Sequence, residues 1–191
     1  SELAMDDENA FGLLVAWVDI EQQEYSLEAE EFARLWREFR GAWREALGIF
    51  ALGQDVRALD LGHALYLEVA DGDHSEDPIA WLKLVRARLL EKGFSTVGAL
   101  TYGGRWIDDE VGSELPELNG VFVAVASCPS EPLRRALWAA TAAHYDEADS
   151  PEGWGAGLYA DTDALEALGR KFKNEPTALT AAGGTFFRIG A

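Results

Sequence analysis

Four carboxylates lie within residues 71–77, directly after the apolar run 64–70. Asp71 and Asp73 are two residues apart, which is how Mg²⁺-dependent phosphohydrolases place a nucleophile and a metal ligand beyond the end of a strand. Carboxylate oxygens suit a hard cation such as Mg²⁺, and a bound cation can also hold a phosphate group. The chemistry that this loop could perform is therefore Mg²⁺-dependent phosphoryl transfer, with Asp71 and Asp73 as the metal ligands.

The same loop is equally suited to begin a helix. Asp77 precedes Pro78, and an aspartate N-cap followed by proline at the first helical position is a common helix start. Acidic residues are also stabilised near the positive end of the helix dipole. The other residues of such phosphohydrolases are missing, because no Gly-Thr follows Asp73 and no acidic pair follows Lys171 or Lys173. We favour an acidic turn that caps a helix and keep the metal site as an alternative.

A second pair, Asp161 and Asp163, follows the apolar run 155–160 and precedes another helical segment. Two such pairs, both at positions where a helix needs a cap, favour the capping interpretation for each.

Cys128 offers a different chemistry, because Arg134 follows it after five residues, as in cysteine phosphatases. Those enzymes attack phosphorus with a thiolate and bind the phosphate through backbone N–H groups that point into the loop. Here Pro129 and Pro132 have no N–H, and Glu131 would repel a phosphate. We expect Cys128 to be a buried structural thiol.

No other spacing predicts catalytic residues. The three histidines do not cluster in the sequence, and there is no Gly-x-Ser-x-Gly motif to anchor a serine nucleophile. The glycine-rich stretch 153–157 leads into a strand, so it lacks the helix N-terminus that binds phosphate in other glycine-rich loops. A single cysteine excludes an internal disulfide and a zinc site built on several thiolates. We predict no catalytic residue, no cofactor and a reduced, cytoplasmic environment.

The charge of the chain narrows the range of partners. With 34 acidic and 16 basic residues the formal net charge is -18. Nucleic acids and anionic membranes are disfavoured, because both attract basic surfaces. No run approaches the roughly 18 to 20 apolar residues of a membrane span, whereas 48% hydrophobic residues predict a sizeable core. Such acidity is common among bacterial cytoplasmic proteins and favours a basic protein partner.

Two acidic segments, residues 106–119 and 136–169, contain five and seven acidic residues. Residues 136–169 contain no lysine or arginine, and Ser150-Pro151 predicts a surface loop within them. We therefore predict an inhibitor or immunity-type protein that binds a basic protein, with an unknown oligomeric state. The residues predicted to bind the partner are Asp146, Glu147, Asp149, Glu152, Trp154, Asp108, Asp109 and Glu110. A small-molecule-binding module with its pocket near Trp106 and Trp154 is a further alternative.

The periodicity of apolar residues gives the elements that must position these side chains. Predicted strands cover 11–20, 64–70, 95–102, 105–109, 120–127, 155–160 and 184–190, and predicted helices cover 26–47, 77–92, 130–145 and 163–172. Gly103-Gly104 predicts a tight hairpin turn. Residues 57–110 and 118–162 could be related βαβ units, which normally place their strands as parallel neighbours. We predict one α+β domain over residues 1–191, a mixed sheet with three to four packed helices.

Overall fold

A computed structural model of the chain describes residues 4–18, 20–49, 56–71, 77–107, 130–145, 155–169, 178–181 and 184–190. The strands are β1 (Ala4–Trp17), β2 (Val56–Asp60), β3 (Ala64–Ala70), β4 (Thr96–Ile107), β5 (Gly157–Asp161), β6 (Ala178–Ala181) and β7 (Gly184–Gly190). The helices are α1 (Ile20–Ser26), α2 (Ala29–Ile49), α3 (Pro78–Glu91), α4 (Glu131–Tyr145) and α5 (Thr162–Ala167). The predicted α+β fold with a mixed sheet is confirmed, although this part of the chain has five helices.

The strands form one seven-stranded sheet in the order β2-β3-β1-β4-β5-β7-β6. β1 lies in its interior and pairs antiparallel with both β3 and β4. β4 and β5 are parallel, and the other described pairs are antiparallel. Since β1 separates β3 from β4, the first predicted βαβ unit does not place its two strands side by side. The predicted strand 120–127 of the second unit lies outside the described residues, so the repeat stays a prediction.

Both faces of the sheet are covered around the second half of β1, which explains why residues 10–17 form a continuous apolar run. Phe11, Leu13 and Val15 point into a core that α2 and α3 cover. Leu14 and Ala16 point into a second core, which α4 covers with small side chains such as Ala136 and Ala139. A strand that is buried on both faces has no polar positions to alternate with apolar ones.

The predicted hairpin at Gly103-Gly104 is wrong, because β4 continues through both residues and stays paired with β1. These glycines leave space for the side chain of Glu131 at the start of α4. A Cβ at Gly103 would lie 2.9 Å from Cδ of Glu131, and the N–H of Gly104 donates to Oε2 of Glu131 at 3.1 Å. The two glycines therefore permit a close helix–strand approach and do not form a turn.

The helix start at Asp77 is confirmed. Its side chain accepts a hydrogen bond from the N–H of Ile79 at 3.0 Å, and Pro78 is the first residue of α3. Gly93 follows that helix with a φ of +91°, a conformation that glycine adopts without strain. None of the described helices combines the length and the apolar character needed to cross a membrane.

Candidate functional site

A cavity of about 500 Å³ opens at one end of the strands, where β1 ends and β3 and β4 begin. Its floor is a row of three neighbouring residues, because Ala16 of β1 pairs with Ala64 of β3 on one side and with Val97 of β4 on the other. Helices α1 and α2 form one wall and α4 forms the opposite one. The described residues that line the cavity are Leu14, Ala16, Trp17, Val18, Ile20, Glu24, Phe32, Trp36, His63, Ala64, Val97, Leu137 and Ala140.

Small side chains account for the open space. Ala16 and Ala64 on the sheet face Ala140 on α4, so that three methyl groups stand where larger apolar side chains would close the gap. The volume lies within the range of about 300–1,000 Å³ that is typical of small-molecule sites. The cavity is therefore large enough to hold a compact organic ligand.

The turn between β2 and β3 shapes the mouth of the cavity. The N–H of Leu61 donates to the carbonyl of Ala64 at 2.9 Å, which closes the turn, and the N–H of Trp17 donates to the carbonyl of His63 at 2.9 Å. Gly62 has a φ of +87°, and a Cβ there would lie 3.0 Å from the indole of Trp36. Glycine at this position thus lets the indole pack directly on the turn.

Aromatic rings form the wall on the side of α2. The rings of Trp17 and Phe32 are stacked with centroids 6.0 Å apart and planes at 12°, and Phe32 contacts Trp36 at 5.8 Å. The rings of Phe39 and Phe94 also contact that of Trp17, with centroids 5.7 Å and 5.1 Å away. Trp17 is buried, whereas Phe32 and Trp36 are partly exposed. These two rings therefore supply the flat, polarisable surface on which a planar ligand can stack.

Two ionisable side chains, Glu24 of α1 and His63, accompany these apolar residues, and both are exposed. None of the described lining residues is a lysine or an arginine. An apolar pocket with a few polar groups is the usual composition of a site in which burial supplies affinity and polar contacts orient the ligand.

A network of charged residues lies at the opposite end of the strands. Arg135 of α4 donates through Nη1 to the carbonyl of Tyr102 at 2.8 Å and to Oδ2 of Asp163 at 2.6 Å. Nη1 also lies 3.6 Å from Oδ2 of Asp161, and Nη2 pairs with Glu131. Burial alone would lower the pKa of Arg135, but the hydrogen bond to Asp163 and the charges of Glu131 and Asp161 raise it. The guanidinium thus joins α4 to β4, β5 and α5.

Asp161 is the most perturbed acid in this network. Burial raises its pKa to about 6, although hydrogen bonds from the N–H groups of Ala164 and Tyr102 and the charge of Arg135 oppose the shift. Its Oδ1 accepts from Ala164 at 2.7 Å, which is the N-cap of α5 that the sequence predicts. Asp161 therefore combines a capping role with an ion pair beneath the surface.

Asp71, the first residue of the predicted metal pair, lies at this same end of the strands, directly after β3. Its backbone N–H donates to the carbonyl of Asn9 at 2.8 Å, and its Oδ2 accepts from the hydroxyl of Tyr102 at 2.5 Å. Burial and this hydrogen bond raise the pKa of Tyr102. Asp73 lies outside the described residues, within which no group of three or more histidine, cysteine, aspartate or glutamate side chains could hold a metal ion.

The residues predicted to bind a basic partner, and Cys128 with them, also fall outside the described part of the chain. This holds for Asp146, Glu147, Asp149, Glu152, Trp154, Asp108, Asp109 and Glu110. The cavity residues were not predicted, because Trp17 and Trp36 have the spacing of ordinary core residues. Leu61-Gly62-His63 between two apolar runs was the signal that could have indicated a turn there.

Comparison with known proteins gives a fold and no sequence family. No family model matches the sequence, and no characterised protein matches it in sequence. The structure is similar to the guanylyl cyclase Cya2, with a TM-score of 0.60 and 10% identity over 97% of this chain and 93% of that one. It is also similar to the adenylyl cyclase CyaB from P. aeruginosa, with a TM-score of 0.59 and 8% identity over 99% of this chain and 97% of that one. A bacterial light-regulated adenylyl cyclase matches with a TM-score of 0.59 and 8% identity over 99% of this chain and 53% of its own.

These similarities overturn the function predicted from charge. Over nearly its whole length the chain has the fold of adenylyl and guanylyl cyclases, so the prediction of an acidic inhibitor or immunity-type protein is wrong. The phosphohydrolase alternative is wrong for the same reason. Net charge misled the prediction because it reports on solubility and long-range attraction, and not on fold.

Proposed function

We propose that this chain is a cyclase-like module that binds a purine nucleoside or nucleotide in the cavity at the ends of β1 and β3. The observation that carries the proposal is the aromatic wall of Trp17, Phe32 and Trp36 beside an open volume of about 500 Å³. Stacking on such rings is a general means of holding a nucleobase. The fold shared with proteins named adenylyl and guanylyl cyclases supports a purine as the base.

The test uses the tryptophans of the cavity as probes. Purified protein is titrated with ATP, GTP, the two 3′,5′-cyclic monophosphates and, for comparison, UTP, with binding followed by intrinsic fluorescence and by calorimetry. We expect saturable binding of at least one purine ligand and a change in tryptophan emission, because the base would contact Trp17 or Trp36. Absence of binding by every purine ligand, the nucleosides adenosine and guanosine included, would contradict the proposal.

A variant that fills the cavity supplies the matched control. Ala140→Phe places a ring in the volume between α4 and the sheet, and should abolish binding. Ala87→Phe adds the same ring at an exposed position of α3 that does not line the cavity, and should leave binding unchanged. Equal binding by the two variants would mean that the purine binds elsewhere.

Incubation with ATP or GTP and Mn²⁺, followed by chromatography, distinguishes a catalyst from a binding module. We expect binding without cyclic product. Glu24 is the only carboxylate among the described lining residues, and that set contains no lysine or arginine to hold a triphosphate. Formation of a cyclic nucleotide would keep the proposed ligand class and add an activity.

A further inference from the structure

We infer that the cavity discriminates against phosphate groups, so that it takes an uncharged purine nucleoside in preference to the nucleoside triphosphate. The inference rests on the proposed function and specifies its ligand. What carries it is the distribution of charge around the cavity, which is separate from the shape that suggests a purine.

The lining itself is unfavourable for a polyanion. Eleven of the thirteen described lining residues have aliphatic or aromatic side chains whose only polar groups are indole N–H groups, and Glu24 adds a negative charge at the side of α1. A triphosphate carries several negative charges, and placing them beside apolar surface and a carboxylate costs free energy in both desolvation and repulsion. A ribose hydroxyl or an exocyclic amine can instead donate a hydrogen bond to Glu24 without that cost.

Arg135, the described arginine of α4 that is nearest in sequence to the cavity residue Leu137, does not offset this repulsion. Arg134 lies three residues before Leu137 and shares its face, but it is not among the described residues that line the cavity, and solvent screens the charge of its exposed side chain. Arg135 lies two residues before Leu137, and residues two apart on a helix do not share a face. Glu131, Asp161 and Asp163 hold the guanidinium of Arg135 at the end of the strands opposite the cavity. The net charge of -18 adds a long-range term of the same sign as the repulsion from Glu24.

The polar groups of the mouth suit a neutral ligand. His63 belongs to the tight turn between β2 and β3, and its carbonyl accepts a hydrogen bond from the N–H of Trp17. This bond holds the backbone of His63 beside the aromatic wall. An imidazole can donate or accept a hydrogen bond, and a carboxylate accepts only. His63 and Glu24 together therefore match the mixed donors and acceptors of a base edge or a ribose.

The experiment compares adenosine with ATP, and guanosine with GTP, by calorimetry without added divalent cation at low and at physiological salt. We expect the nucleoside to bind about tenfold tighter than the triphosphate at low salt, because like-charge juxtaposition is strongly unfavourable. The preference should shrink as salt screens the repulsion, with a Debye length of about 10 Å at 0.1 M. Adenosine binding itself should hardly depend on salt.

Two variants, compared with a control variant, test the electrostatic cause. Leu137→Arg adds a cation at the partly exposed rim and should raise the ratio of ATP affinity to adenosine affinity by about fivefold, the size of one favourable exposed ion pair. Leu90→Arg adds the same charge at an exposed position of α3 outside the cavity and should change neither. Glu24→Gln removes the repulsion without adding bulk, so it should also reduce the preference for adenosine over ATP. It provides the test if Leu137→Arg fails to fold.

The outcomes separate this inference from the proposed function. ATP that binds as tightly as adenosine to the wild type would overturn the charge discrimination and leave a purine-binding module. A preference for adenosine that neither Leu137→Arg nor Glu24→Gln alters would overturn its electrostatic origin. Absence of binding by both ligands would overturn the inference and the proposed function together.

Discussion

Glu131 occupies the space that a side chain at Gly103 would need. The distance from a Cβ at Gly103 to Cδ of Glu131 would be 2.9 Å, which is shorter than real contacts allow. The same carboxylate accepts the N–H of Gly104 and pairs with Arg135. The bare backbone of β4 thus lets the first turn of α4 attach to the sheet through a charged side chain.

Gly103→Ala should therefore destabilise the fold. The added methyl group would displace the carboxylate of Glu131 and weaken its contacts with Gly104 and Arg135, at a cost of about 1–3 kcal/mol. Gly41→Ala is the control, since a Cβ there meets nothing within 4 Å and alanine in a helix should stabilise by roughly 0.5–1 kcal/mol. Urea denaturation of both variants gives the free energies of unfolding. A Gly103→Ala protein as stable as the wild type would show that Glu131 can move without loss.

The buried carboxyl of Asp161 should make stability depend on pH. Its pKa of about 6 lies above the ordinary value of 3.8, so the folded state binds this proton more tightly than the unfolded chain. The stabilisation is complete below the ordinary value and is lost as the pH rises through about 6. A shift of this size corresponds to a difference on the order of 3 kcal/mol.

Asp161→Asn should remove this dependence while keeping an oxygen that can cap α5. Melting temperatures between pH 4 and pH 7 should show the wild type losing stability relative to the variant as the pH rises. Glu166→Gln is the control, because that carboxyl is on the same helix and is exposed. Parallel pH profiles for the wild type and Asp161→Asn would mean that Asp161 ionises normally.

Removal of Arg135 should cost more than removal of an ordinary surface arginine. Arg135→Ala would leave the buried Asp161 without its cation and would free Asp163 and the carbonyl of Tyr102. We expect a loss of about 2–3 kcal/mol, somewhat less than for a fully buried pair. Arg34→Ala removes an exposed i,i+4 pair with Glu38 and should change stability by less than about 0.5 kcal/mol. Chemical denaturation gives the free energy of unfolding of each variant. Equal losses would show that the network around Arg135 stabilises the fold no more than an exposed ion pair does.

Ser130 connects the start of α4 to a buried acid of β3. Its hydroxyl donates to Oε2 of Glu68 at 2.6 Å, the same oxygen that accepts from Tyr66 at 2.6 Å. It also accepts the N–H of Leu133 at 3.4 Å as an N-cap. Ser130→Ala should cost about 2–3 kcal/mol, the sum of a lost cap and a weakened bond to a buried charge. Ser130→Thr keeps the hydroxyl and should recover most of that stability in the same denaturation assay; similar losses in both would point to steric packing instead.

Features set by neighbours in the sequence could be predicted, and those set by distant residues could not. The cap at Asp77 and strand β3 follow from short-range chemistry, and both are present. The role of Gly103 depends on Glu131, which is far away in the chain, so a pair of glycines was misread as a turn. β2 was missed because it is short and contains the charged Arg57.

The cavity shows the same limit for the candidate site. Its floor, walls and mouth come from β1, β3, β4, α1, α2 and α4, and no two of its small residues are close in sequence. Ala16, Ala64 and Ala140 are ordinary residues taken one by one. The sheet register brings Ala16 next to Ala64, and the packing of α4 on the sheet adds Ala140. The charge of the chain was visible at once, but it does not determine which elements meet.

The interior position of β1 has a consequence for synthesis on the ribosome. β1 is made before either of its partner strands, and about 80 residues separate its end at Trp17 from the start of β4 at Thr96. At typical translation rates of about 5–20 residues per second, that interval lasts roughly 4–16 s. During it, a long apolar strand has at least one unpaired edge of the kind that promotes aggregation. We expect the nascent chain to depend on chaperones until β4 has left the ribosome, and the completed protein to refold slowly from denaturant.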